Sequence, residues 1–148
     1  MGLLDNYTGI GMSPRPKWEH QNVMDTWLFF THKELRKQGL HILTEATVTE
    51  DCDDLAPDLV IFDEHNYPLS IIEITTHKEC GEIIKKCYEL IDRFPDSEYF
   101  VYDYERLILY KYDYERDEWH SSGEDILYSR YLRYPLLDYL QIGRASCR

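Results

Sequence analysis

The stretch from Asp58 to Thr76, Asp-Leu-Val-Ile-Phe-Asp-Glu-His-Asn-Tyr-Pro-Leu-Ser-Ile-Ile-Glu-Ile-Thr-Thr, constrains this chain most. Two short apolar runs flank a turn, and each carries one carboxylate at or inside an otherwise oily strand. A hairpin centred between His65 and Asn66 pairs Val60 with Ile71, Phe62 with Leu69 and Asp58 with Glu73. Like charges opposed on neighbouring strands destabilise a buried sheet, so a positive group is expected between or beside them. A divalent metal is the leading candidate.

The rest of the chain supplies a frame for that hairpin. Val23, Met24, Trp27, Leu28, Phe30 and Leu35 recur at helical spacing and predict a helix over Lys17–Gln38, stopped by Gly39. His41–Val48 is rich in β-branched residues and predicts a strand. The acidic run Glu50–Asp54 that follows lacks the glycine and terminal glutamate of a calcium loop and is expected to be a solvated connection. Thr76-His-Lys-Glu79 has the form of a capping box and predicts a second helix starting there. Its stripe of Cys80, Ile83, Ile84, Cys87, Leu90, Ile91 and Phe94 ends at Pro95.

Beyond Pro95, runs 98–102, 106–112 and 118–120 read as strands, and the pentapeptide Tyr-Asp-Tyr-Glu-Arg at 102–106 returns at 112–116. A repeat this short marks successive turns of a meander. Residues 126–140, leucine-rich around Pro135, predict one or two short helices over the sheet. The order of elements predicts an α+β fold, a central mixed sheet flanked by helices.

Length and composition set the remaining bounds. A chain of 148 residues with 43% hydrophobic residues holds one core, placed at 17–141. The Gly- and Pro-bearing residues 1–16 read as a loose arm. Residues 142–148 resemble a translated sequencing adapter and are expected to be a non-native tail. No run approaches the roughly 20 apolar residues of a membrane span, and no secretory signal opens the chain, so a cytoplasmic protein is expected. The four cysteines form no CxxC pair, and no disulfide is expected. A net charge of -12 argues against tight non-specific binding to nucleic acid.

Chemistry gathers on Asp58 and Glu73. Carboxylates from adjacent strands suit a hard cation, Mg²⁺ or Mn²⁺, with water and phosphate oxygens in its other positions. A lysine near the attacking water is then needed. On a helical wheel Lys86 lies about 100° from Cys87, at the rim of the apolar stripe, and Lys85 lies about 160° away, toward solvent. Lys78, in the first turn, points away from the stripe. The plainer alternative makes Asp58 a turn cap and Glu73 a structural ion-pair partner of Lys86 or Arg93. His77 and Cys80 have zinc-like spacing but no second pair, and the histidines have no nucleophile at a readable spacing. The thirteen tyrosines are expected mainly in the core and on the meander surface, ahead of base stacking.

Pro57-Asp58, its strand, and Ile72-Glu73-Ile-Thr75 together resemble the PD-(D/E)XK nuclease signature of restriction-endonuclease-like folds. Over roughly residues 18–112 the frame resembles the bacterial Uma-two family of restriction-type endonucleases. The resemblance implies a metal-dependent enzyme that hydrolyses DNA, with Asp58 and Glu73 as metal ligands for Mg²⁺ or Mn²⁺ and Lys86 as a migrated catalytic lysine. Glu82-x-x-x-Lys86 matches, within one residue of spacing, the family's acid and lysine of the second helix, and Glu19 maps to its first-helix glutamate. Thr75 stands where the motif has lysine. Either a helix lysine, Lys86 or else Lys85 or Lys78, substitutes for it, or the domain is inactive and binds a protein partner. A homodimer remains open.

Overall fold

A computed structural model describes residues 18–46, 48 and 56–146. The predicted arm at 1–16 and the acidic run Glu50–Asp54 lie outside the described residues.

Helix α1, Trp18–Arg36, buries Met24, Trp27, Thr31 and Leu35, the stripe expected from its spacing. Its end is a Schellman turn: the Leu40 N–H donates to the Leu35 carbonyl and the Gly39 N–H to the Arg36 carbonyl, both at 3.0 Å. Gly39 has φ +77°, which only glycine takes without a Cβ penalty. Strand β1, His41–Thr44, is shorter than the predicted His41–Val48. Glu45 at φ 50° turns the chain out of the sheet, and its N–H donates to the Asp58 carbonyl at 2.9 Å. The strand therefore ends at Thr44, a tertiary override of local propensity.

Strands β2, Leu59–Phe62, and β3, Pro68–Thr75, form the expected antiparallel hairpin with Val60 opposite Ile71. The register then slips, and Phe62 faces Pro68 instead of the predicted Leu69. Asp63 Oδ1 accepts the N–H groups of His65 and Tyr67 at 2.8 and 2.9 Å, and Asn66 sits at φ 63°. This turn uses one residue more on one side than a symmetric one, and the bulge absorbs it.

Helix α2, Cys80–Arg93, starts four residues after Thr76, later than the capping box predicts. One of the two box contacts forms: the Glu79 N–H donates to Thr76 Oγ1 at 3.3 Å, and the Glu79 carboxylate accepts from the Thr76 hydroxyl at 3.1 Å. They close a turn over 77–79, and regular helix follows it. The Phe94 N–H donates to the Leu90 carbonyl and Pro95 ends the helix as predicted.

Strand β4, Glu98–Asp103, runs parallel to β3, so α2 is the crossover of a β-α-β unit. Strands β5, Ile108–Asp113, and β6, Glu118–Ser121, complete an antiparallel meander. The repeated pentapeptide makes both of its turns. Asp103 Oδ1 accepts the N–H groups of Glu105 and Arg106, Asp113 Oδ1 accepts that of Glu115, and each turn exits through a positive φ, at Leu107 and Asp117.

The sheet order is β1-β2-β3-β4-β5-β6. Alternation along the strands gives it two apolar faces. Leu59, Ile61, Ile72, Ile74, Phe100 and Tyr102 meet α1 and helix α3, Leu136–Ser146, while Val60, Phe62, Ile71, Tyr99 and Val101 meet α2. The Trp27 indole N–H donates to the Leu136 carbonyl at 2.8 Å, tying α1 to α3. Helix α3 begins after Pro135, within the predicted helical end, and continues through 142–146. Three helices and a six-stranded mixed sheet among the described residues make the fold α+β, as expected. No helix among them is long and apolar enough to cross a membrane.

Candidate active site

Asp58 stands just before β2, and Glu73 lies within β3 on the face that meets α2. The two are locked reciprocally. The Asp58 N–H donates to Glu73 Oε1 at 2.8 Å, and Asp58 Oδ2 accepts the Ile74 N–H at 2.7 Å, extending the hairpin ladder by a side chain. Glu73 is 1% exposed. Burial raises its carboxyl well above the ordinary carboxylate range, the Asp58 charge raises it further, and Lys86 opposes both.

Lys86 is the cation the hairpin calls for. Its Nζ lies 2.7 Å from Glu73 Oε2 and donates to the Ala56 carbonyl at 3.4 Å. Lys85 points to solvent and pairs with Glu82 at 3.7 Å, so the helical wheel ordered these two lysines as the fold does. Lys78 is exposed in the turn before α2. Thr75 is buried, and its hydroxyl donates to the Thr76 carbonyl at 3.0 Å, so no ammonium reaches the site from that position.

Glu19, the first-helix position suggested by resemblance, is exposed. The residue that α1 delivers is its neighbour, His20. His20 Nε2 lies 3.2 Å from Asp58 Oδ2 and acts as donor, since a carboxylate only accepts. Hydrogen bonding to Asp58 raises the His20 pKa, against the lowering effect of burial. The ring packs edge-on to Tyr104 at 6.3 Å. Sequence reasoning missed His20, although the buried stripe Met24, Trp27, Thr31, Leu35 extends back by one helical step to 20 and not to 19.

Glu73 Oε2 is a buried acceptor held by the Lys86 ammonium at 2.7 Å. Two adjacent carboxylates and one such oxygen are a donor set that could hold a hard divalent ion. Among the described residues no cluster of three or more His, Cys, Asp and Glu could hold a metal ion, so such an ion would keep several waters, as Mg²⁺ does. His77 turns its Nδ1 to Asp103 Oδ2 at 3.0 Å, and Cys80 packs with the core on the α2 face.

No protein-family model matches the chain, and no curated protein matches it. A solved structure does match: a "putative nuclease belonging to DUF820" from Anabaena variabilis, with a TM-score of 0.67 at 13% identity, over 88% of this chain and 84% of that one. The two chains share a fold. At that identity the likeness carries the arrangement of helices and strands, and the chemistry rests on the side chains of this chain.

Proposed function

We propose that this protein is a metal-dependent endonuclease of the PD-(D/E)XK type, akin to the Uma-two family, that hydrolyses DNA phosphodiester bonds. One observation carries the reading: Lys86 reaches Glu73 from α2, while β3 itself offers Thr75 where the motif's lysine would stand. Asp58 and Glu73 would hold Mg²⁺ or Mn²⁺. That ion, when bound, supplies charge stabilisation on the phosphate and lowers the pKa of water.

The protein's own groups do the rest. Lys86, two-sided in its contacts with Glu73 and the Ala56 carbonyl, is placed to orient the attacking water and to stabilise developing negative charge with Nζ. His20 and the Ile74 N–H hold one Asp58 oxygen and so fix the orientation of that carboxylate. The net charge of -12 leaves little general attraction for a polyanion, so substrate contact would be local.

Incubation of supercoiled plasmid with the protein and Mn²⁺ or Mg²⁺ at low salt tests the proposal. Nicked circles are expected from wild type and not with EDTA. Intact plasmid across both metals and a range of salt would reject the enzyme and leave a nuclease-fold domain that binds a protein partner.

A further inference from the structure

On the side of the fold away from Lys86, α1 and β1 enclose an open groove of about 570 Å³ lined by Asp25, Leu28, Phe29, His32, Arg36 and residues 40–43. Two of its lining residues, Phe29 and Leu43, are 67% and 47% exposed. Strand β1 is an outer strand of the sheet among the described residues.

The exposed stripe of α1 is self-complementary. At 100° per residue Asp25 and Arg36 fall within about 20° of one another, and Phe29 and His32 lie within about 40° of Asp25 to either side. Asp25 and Arg36 stand about 16 Å apart along the helix at 1.5 Å per residue. A two-fold axis across the middle of this stripe sets Asp25 of one copy against Arg36 of the other, and the same axis sets Phe29 against His32. Neither Asp25 nor Arg36 forms an ion pair among the described residues; Asp25 accepts only from Gln21 at 2.9 Å.

Charge also selects this face. A chain of net charge -12 repels a second copy over most of its surface, yet here one carboxylate is matched by one guanidinium, with His32 and His41 beside them. We infer that the α1–β1 groove is the interface of a two-fold homodimer, closed by reciprocal Asp25–Arg36 pairs around a Phe29 and His32 centre. An isologous patch of this kind pairs each residue with its complement twice. An exposed aromatic at the centre, rimmed by charges, is the composition of an interface core and rim.

Sedimentation velocity of the full chain across micromolar concentrations tests this. Wild type is expected to dimerise, and Phe29→Ser to weaken the dimer. Asp25→Arg and Arg36→Asp, each of which creates two like-charge contacts, should each weaken it by at least about tenfold. An equimolar mixture of those two variants should recover a heterodimer near wild-type affinity, because both pairs are then rebuilt, one in the native sense and one reversed. Circular dichroism melts check that each variant folds. A wild type that stays monomeric, or a mixture no tighter than either variant alone, overturns the inference whatever the plasmid assay shows.

Discussion

Lys86 Nζ and Glu73 Oε2 meet at 2.7 Å across the interface between α2 and β3, the carboxylate almost wholly buried and the lysine side chain 23% exposed. Lys86 opposes the upward push that burial and the Asp58 charge exert on the Glu73 carboxyl. The pairing also leaves the ammonium at the edge of the site, where a substrate phosphate could reach it.

The first prediction separates the two neighbouring lysines. Lys86→Ala should lower plasmid nicking by about a hundredfold or more, the scale of a lost charge-stabilising donor, and Lys85→Ala should keep most of the activity. Loss in Lys85→Ala with retention in Lys86→Ala would reverse the assignment. Both proteins are compared after their melting curves show intact folds, since Lys86 also partners a buried carboxylate.

A second expectation uses stability and no substrate. A ligand bound only by the native state adds RT ln(1 + [L]/Kd), about 1.4 kcal/mol at tenfold excess over Kd. Mn²⁺ should therefore raise the Tm of wild type measured against EDTA. Asp58→Asn keeps an oxygen for the Ile74 N–H but removes one ligand charge, so it should gain little from the metal. In EDTA it should melt slightly higher through relief of the repulsion with Glu73, although the lost charge partner of His20 limits the gain. Equal response of both proteins to Mn²⁺ would make the acids structural, with Glu73 simply the partner of Lys86.

The third concerns pH at a point remote from the site. His120 Nε2 lies 2.7 Å from Asp113 Oδ2, and its other nitrogen lies 3.4 Å from Asp125. Hydrogen bonding to Asp113 raises the His120 pKa, and the same bond lowers that of Asp113. The raised histidine stabilises the fold fully below its unfolded value near 6.5, and that contribution is lost as pH rises through the folded value. The lowered aspartate stabilises above its unfolded value near 3.9, and loses the contribution as pH falls through the folded value. The pair is thus fully favourable between about pH 4 and 6.5. NMR titration should put the His120 midpoint above 6.5, and Asp113→Asn should bring it down; a midpoint indifferent to that substitution would contradict the pairing.

Local features of the chain were legible because covalent geometry and burial set their periods. Period-two alternation paired Val60 with Ile71 and brought Asp58 to Glu73, and the 3.6-residue period turned Lys86 inward and Lys85 outward. Gly39 ended α1, and one pentapeptide written twice made two matching turns, because each aspartate caps the same backbone N–H groups that follow it. Helix α2 starts later than its sequence signal predicts for a related reason: the Thr76–Glu79 contacts are local and form, but they close a turn without yet starting the helix.

Tertiary structure decided whatever depends on how separate elements pack. His20 and Asp58 are 38 positions apart, and no local pattern aims one at the other; only the seating of α1 on the sheet, pinned by Trp27 at Leu136, brings the imidazole to the carboxylate. The parallel pairing of β3 with β4, the end of β1 at Glu45 and the slip at Phe62 likewise follow from the sheet as a whole. The sequence by itself determined which residues face inward and where the two acids meet. Which histidine joins them, and from which helix, was settled by packing, since a contact between distant segments exists only once the core that holds both has formed.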